Sequence, residues 1–176
     1  MIYLVLTAFV IFVIYNIVSV NAFGVPASLS NTYYLYESKK KHLGLVFPAM
    51  MASTAFTLLP AWLELGELVS LWSSYLNPLA FFTCAAILFV GGTPAFKDNK
   101  LEGTVHTASA IIAAGASLLW CFIVCWKIMY VPIIAAGLIA LVACLTKTFN
   151  KDLTYWLEIM AFGATFATVI TQLLIL

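Results

Sequence analysis

Apolar runs long enough to cross a membrane, separated by short polar connections, limit what this chain can fold into. A helix of about 20 apolar residues spans the hydrocarbon core of a bilayer. Only 9% of the residues are charged, against about 25% in ordinary globular domains, and a soluble fold could not bury so much apolar surface. We therefore expect residues 1–176 to form a single all-α domain, a polytopic membrane helix bundle.

The apolar runs predict about six transmembrane helices. They cover residues 1–20, 45–63, 68–90, 105–125, 132–146 and 153–176, and the fifth is only marginally long enough. We expect a tight acidic turn at Glu64–Glu67 between the second and third helices, with Trp62 and Trp72 at that membrane interface. We expect Gly91-Gly92 to end the third helix.

The lysines predict how the six helices are oriented across the membrane, because cytoplasmic connections of membrane proteins are enriched in Lys and Arg. The chain has no Arg, and only Lys127 falls on one side of the predicted bundle. The other side carries Lys39, Lys40, Lys41, Lys97, Lys100, Lys147 and Lys151. We expect that lysine-rich side to be cytoplasmic, both termini to be non-cytoplasmic, and the protein to lie in the bacterial inner (cytoplasmic) membrane.

The polar segment from Gly24 to Gly44 separates the first two predicted spans. Hydroxyl and amide side chains after Pro26 suit the free N–H groups of a helix start, so we expect an interfacial helix over about residues 30–40. Tyrosines favour the headgroup region, and lysines favour anionic lipid. The predicted interface and headgroup residues are Ser28, Ser30, Tyr33, Lys39, Lys40 and Lys41.

Polar and small residues recur at helical spacing in four predicted spans, so they share one face of each helix. One interpretation is close helix packing, which small residues allow in membranes. The other is a hydrated or ligand-filled cavity. Ser70 and Ser73 begin the stripe of the third span. The residues singled out for a ligand or ion pathway are Glu158, His106, Asn77, Thr165, Thr168 and Gln172.

Glu158 and His106 lie at comparable depth near the start of the sixth and fourth spans. An ionisable group within a span is costly and tends to be functional, so Glu158 is the first candidate. Its expected partner is His106, a hydroxyl such as that of Tyr33, or a bound cation. His106 could instead only satisfy backbone groups at a helix start.

Several classes of function are disfavoured by the composition. The formal charge of +1 gives no basic face for nucleic acid. The four cysteines lie inside apolar runs with no paired spacing in a loop, so they predict no disulfide framework. Cys121 and Cys125 share a helix face and could join His106 as metal ligands, but buried Cys is more often a small apolar side chain. Gly91-Gly92 lacks the Lys and Ser or Thr of a nucleotide-binding loop. We predict no cofactor, no metal site and no catalytic residue.

Four stretches carry a resemblance that covers most of the chain. They are GVPASLSNTYY at 24–34, PAWLE at 60–64, FVGGTPAFK at 89–97 and GTVHTASAII at 103–112. Together they resemble small bacterial or phage-borne polytopic integral membrane proteins without known activity, which implies the class and the fold only. Ser38 and His42 are superficially similar to the spaced Ser and His of alkaline-ceramidase-type hydrolases. That family's zinc site cannot be assembled here, because His106 is the only other histidine.

Three functions from different classes stay open. The first is a carrier or channel for a small solute or ion, with Glu158 and His106 at a polar cytoplasmic-side cavity. The second is a non-catalytic protein that assembles with copies of itself or with a membrane partner. The third is a membrane-embedded enzyme acting on a lipid headgroup, which ranks lowest because no nucleophile, base and orienting residue come together in the sequence. In each case the lipid bilayer is the expected partner.

Overall fold

The computed structural model describes residues 1–69, 73–94 and 96–176, and its regular structure in these ranges is helical. Its α-helices are α1 (Ile2–Phe23), α2 (Thr32–Lys39), α3 (Val46–Val69), α4 (Ser73–Gly92), α5 (Lys100–Val124), α6 (Tyr130–Leu145) and α7 (Leu153–Ile175). Short 3-10 turns at Leu43–Leu45 and Trp126–Ile128 precede α3 and α6. The expected all-α bundle is confirmed for this part of the chain.

Four helical stretches within the described ranges are long and apolar enough to cross a membrane. They are Ile2–Phe23, Leu43–Val69, Lys100–Val124 and Leu153–Ile175. Two shorter apolar helices, Leu76–Gly92 and Tyr130–Leu145, accompany them. The described residues therefore form a helix bundle with four candidate membrane spans.

Five helices enclose the interior of the bundle. α3 packs along α4, α4 along α5 and α5 against α7, and α1 closes the ring by contacting both α7 and α3. α6 packs on α7 outside this ring. The connection between α1 and α2 turns inward, because Leu29 and Ser30 are each only 2% exposed. This buried connection, residues 24–31, is called the plug segment below.

Helix α3 is longer than the sequence analysis predicts. The expected turn at Glu64–Glu67 is wrong, because α3 continues to Val69. Leu65 and Gly66 are buried while Glu64 and Glu67 are exposed, so the acidic residues form the polar face of a continuing helix. Ser70, Trp72 and the side chain of Ser73, which the sequence analysis also interprets, lie outside the described residues.

Other boundaries follow from local capping. The predicted break after the third apolar run is confirmed, because α4 ends at Gly92. α5 begins at Lys100, earlier than predicted, since the Asn99 side chain accepts a hydrogen bond from the Leu101 N–H at 2.9 Å. The expected helix after the first span is confirmed as α2, and Ser28 Oγ accepts from the Asn31 N–H at 3.1 Å just before it.

Candidate functional site

Two successive residues of the plug segment are fastened to two different helices. The Leu29 N–H donates to Glu158 Oε2 of α7 at 2.6 Å. Ser30 Oγ lies 2.7 Å from His106 Nε2 of α5 and forms a hydrogen bond with it. The other ring nitrogen, His106 Nδ1, lies 3.2 Å from Thr93 Oγ1 at the end of α4. The plug segment thereby joins α5 to α7 at one end of the bundle, and His106 extends the link to Thr93 after α4.

The expected pairing of Glu158 with His106 is therefore corrected. Glu158 accepts from the Leu29 N–H and His106 bonds to the Ser30 hydroxyl, so the two side chains have separate partners in the plug segment. A buried backbone N–H needs an acceptor, and the segment around Leu29 is not yet helical enough to supply one from its own backbone. The Glu158 carboxyl group supplies that acceptor, so its partner among the described residues is a backbone N–H and neither the imidazole of His106 nor the hydroxyl of Tyr33.

Hydroxyl groups fasten the start of α2 to α1. Tyr15 OH and Thr32 Oγ1 are hydrogen-bonded, and Ser19 Oγ lies 3.0 Å from Tyr36 OH. These contacts are not predicted above, because the first apolar run has the composition of a plain membrane span. The signal is present in the sequence, since Tyr15 and Ser19 are four residues apart and share one helix face.

The connection before α5 covers the outer side of the plug segment. Lys97 Nζ donates to the Asn31 side chain, and the Lys97 N–H donates to Tyr34 OH at 2.9 Å. Tyr34 OH also donates to Asp98 at 3.3 Å. Partial burial raises the pKa of Tyr34, so its hydroxyl stays protonated and able to donate. The Phe96 ring stacks on His106 with 4.4 Å between ring centroids.

A cavity lies beneath the plug segment, between α3, α4, α5 and α7. It offers about 50 Å³ of space to the centres of water-sized molecules, enough for more than one water by volume. Most of its walls are apolar. Its lining residues are Leu29, Ser30, Phe47, Met51, Leu58, Trp62, Ile87, Val90, Ala110, Ala113, Ala114, Ser117, Glu158, Ala161, Phe162 and Thr165.

Of the predicted pathway residues, Glu158 and Thr165 line this cavity. His106 reaches it only through Ser30. Thr168 and Gln172 are buried elsewhere in the bundle, and the cavity lining within the described residues does not include them or Asn77. The Thr165 and Thr168 hydroxyls each donate at 2.8 Å to a carbonyl of their own helix. The polar stripe of α7 is thus divided between the cavity wall, at Glu158, Ala161 and Thr165, and the packed interior, at Thr168 and Gln172.

Trp62 differs from its predicted place at a membrane interface. Its side chain is 0% exposed and packs on Trp120 with 5.7 Å between ring centroids. It lines the cavity, and its Nε1 is a buried nitrogen without a hydrogen-bond partner among the described residues. The prediction is wrong because α3 continues past the expected turn and leaves Trp62 inside the bundle.

Comparisons of the chain with protein-family models, with curated proteins and with solved structures find no match. The resemblance to small bacterial or phage-borne membrane proteins therefore stays a prediction.

Proposed function

We propose that this protein is a polytopic membrane protein that binds a small apolar molecule between its helices and acts as a carrier for it. The apolar character of the cavity supports the proposal, because Glu158 is the one ionisable side chain among its described lining residues. Small-molecule sites in proteins are typically concave and mainly apolar, with a few polar groups that fix orientation.

The polar groups on the cavity walls favour an apolar molecule over an ion. A conducting path needs a series of ligands that replace the water around the ion. Ser117 Oγ already donates to the Ala114 carbonyl at 3.0 Å, and Thr165 Oγ1 donates to the Ala161 carbonyl at 2.8 Å. Glu158 is engaged by Leu29. The described wall thus has few oxygen-bearing side chains, and Ser117, Thr165 and Glu158 each already have one hydrogen-bond partner within the protein.

The plug segment is the proposed route of exchange. It covers the end of the cavity where α3, α5 and α7 begin, and Leu29 and Ser30 themselves line the cavity. Segments that open for ligands are held by few contacts, so that they can open without unfolding the bundle. Glu158 and His106 supply such contacts, so their hydrogen bonds control how often the cavity opens.

Filling the cavity tests this function. Ala113 is 8% exposed and lines the cavity, so Ala113→Leu should prevent dodecane from raising the Tm of purified protein in nanodiscs. Ala108, on the same helix, is exposed, so Ala108→Leu should respond to dodecane like the wild type. Equal responses of both variants would contradict the proposal. Cation flux that is lost in Glu158→Gln would favour an ion pathway instead.

We further propose six membrane crossings, with the lysine-rich side in the cytoplasm. The packing of α4 between α3 and α5, both of which are candidate spans, supports a crossing by α4. Antiparallel threading of six helices puts all the lysines except Lys127 at one end, as the positive-inside rule requires. Lys39, Lys40 and Lys41 are exposed there and suited to anionic lipid.

A further inference from the structure

Glu158 keeps one carboxyl oxygen that the protein does not engage. Its Oε2 accepts from the Leu29 N–H at 2.6 Å, whereas Oε1 has no hydrogen-bond partner among the described residues. Oε1 is not sealed off, since in the described part of the chain only Trp62 Nε1 is both fully enclosed and without a partner. The Glu158 side chain is only partly buried, so a bound molecule can reach this oxygen.

The accessible part of Glu158 belongs to the cavity wall. Residues three and seven positions apart share one face of a helix, and Ala161 and Thr165 line the cavity together with Glu158. Leu29, which donates to the carboxyl group, lines it as well. The exposed side chain of Leu157 marks the outer face of this part of α7. Glu158 therefore presents its unengaged oxygen to the occupant of the cavity.

No cation of the protein accompanies this carboxyl group. The chain has no Arg, and each of its lysines is exposed. His42 is exposed as well, and His106 is hydrogen-bonded to Ser30 and Thr93. A buried charge without a partner is costly. An occupant with a positive charge supplies the missing partner, whereas a carboxylate or phosphate would add a second negative charge.

The rest of the wall requires that this cation carries an apolar group. Most of the described lining side chains are apolar, as Phe47, Leu58 and Phe162 are. A metal ion would lose its water against such a wall without a set of ligands to replace it. An aliphatic group, in contrast, is favoured in contact with these side chains. A cationic end on an aliphatic body therefore matches both parts of the cavity.

Resting on the carrier function proposed above, we infer that the small molecule bound in the cavity is an aliphatic amine in its protonated form. Its ammonium group donates a hydrogen bond to Glu158 Oε1, and its alkyl group lies against the apolar wall. Glu158 is then the residue that determines specificity, because it distinguishes an amine from an alkane or an alcohol of the same length.

The test compares hexane, pentan-1-ol and pentylamine, three probes of similar length, with the whole protein in nanodiscs of zwitterionic lipid. At equal mole fraction, pentylamine should raise the Tm of the wild type furthest, with an affinity about tenfold higher, as for one hydrogen bond to a charged group. Glu158→Gln keeps an acceptor for the Leu29 N–H and removes the charge, so it should lose this preference. Glu67→Gln, at an exposed position of α3, should keep it.

The outcomes separate this inference from the carrier function. Failure of all three probes to bind the wild type, or undiminished hexane binding by Ala113→Leu, would overturn the carrier function and this inference together. Equal affinities for the three probes, or an unchanged preference in Glu158→Gln, would overturn the inference alone. The same follows if KCl raises the Tm as much as pentylamine hydrochloride, since the carboxyl group would then take an inorganic cation. If Glu158→Gln does not fold, the wild-type comparison of pentylamine with pentan-1-ol still decides the question.

Discussion

Leu29 and Ser30 show how single side chains hold the plug segment in a largely apolar interior. Each is nearly fully buried, and each places one polar group against a different helix. Neither contact is an ion pair. The Glu158 carboxyl group accepts a hydrogen bond from the Leu29 N–H, and Ser30 Oγ is hydrogen-bonded to the His106 ring. The removal of either contact should loosen the segment without removing a helix.

Replacement of Glu158 should depend on whether an acceptor is kept. Glu158→Ala leaves the buried Leu29 N–H unsatisfied, so we expect a loss of about 1–3 kcal/mol in the free energy of unfolding. Glu158→Gln keeps an amide oxygen near the N–H and should lose less. Denaturant unfolding in detergent measures both variants, and Glu67→Ala, at an exposed position of α3, is the control. Equal losses for the Ala and Gln variants would argue against the Leu29 contact.

Ser30 and His106 should be energetically coupled. A double-mutant cycle of Ser30→Ala and His106→Ala should give a coupling energy of about 0.5–1.5 kcal/mol, the usual range for one hydrogen bond. Ser38 is exposed and its Oγ donates to the Leu35 carbonyl, so Ser38→Ala should be additive with His106→Ala. Purely additive effects of the Ser30 and His106 variants would show that their hydrogen bond contributes nothing.

Glu37 makes the loop before α3 sensitive to acid. Its carboxylate accepts from the His42 N–H at 2.9 Å and from the Gly44 N–H at 3.2 Å. The hydrogen bond from the His42 N–H is the largest of the effects that lower the pKa of Glu37. Because the pKa of Glu37 is lower in the folded protein, its carboxylate contributes fully to stability above the ordinary carboxyl pKa of about 4.3. That stabilisation is lost as the pH falls through the lower folded-state pKa.

We therefore expect the amide resonances of His42 and Gly44 to shift in NMR spectra as the pH falls through the folded-state pKa of Glu37. The His42 backbone has φ 68°, a left-handed conformation that L-residues rarely adopt, so the loss of its acceptor should also raise the mobility of this turn. Glu37→Gln should abolish the pH dependence. If the two amide resonances of that variant shifted with pH as in the wild type, the pH dependence would belong to a group other than Glu37.

At the scale of helices, the close approach of α3 and α4 depends on Gly91, one of the two glycines that end α4. A Cβ at Gly91 would lie 2.9 Å from Met51 Cβ and 3.4 Å from Pro48 Cα of α3, whereas a Cβ at Gly92 would meet nothing within 4 Å. Gly91→Ala should therefore push α3 and α4 apart and destabilise the protein by about 1–3 kcal/mol. Gly92→Ala should be neutral or stabilising, because it raises helix propensity. Thermal unfolding of the two variants makes the comparison, and equal Tm values would contradict close packing at Gly91.

The sequence predicts helices well where an apolar run ends in a residue that breaks a helix. Gly92 ends α4 as expected. Prediction fails where charge and helix formation coincide, as at Glu64 and Glu67, because Glu is both a good helix former and an indicator of the membrane surface. The sequence cannot choose between these two roles. The neighbouring helices decide, since buried Leu65 holds the last turns of α3 against the bundle.

At the scale of the whole molecule, the sequence identifies part of the candidate site. The cost of an acid within a span is a local property, so it singles out Glu158 without a structure. The contact of Glu158 with Leu29 joins positions far apart in the chain and depends on a backbone N–H, which no residue pattern marks. The same applies to Trp62, because only the packed bundle shows that its N–H lies in the interior.

The six-crossing topology predicts on which side each connection lies. Ser38, Glu67, Lys127 and Lys151 are exposed residues in or beside four different connections. Each can be replaced by Cys in a Cys144→Ser background, since Cys84, Cys121 and Cys125 are buried and Cys144 is exposed. In intact cells a membrane-impermeant thiol reagent should label the Glu67→Cys and Lys127→Cys variants. It should not label the Ser38→Cys and Lys151→Cys variants until the membrane is opened.

The Lys151→Cys variant tests the weakest crossing. α6 has 16 residues, about 24 Å at 1.5 Å per residue, which is shorter than the roughly 30 Å hydrocarbon core. If α6 crosses by local thinning of the bilayer, residues 127 and 151 lie on opposite sides and α7 begins at the lysine-rich end. Labelling of both residues from outside would show that α6 does not cross. α7 would then begin at the other end, and because Glu158 lies near that start, its contact with Leu29 could not form as described.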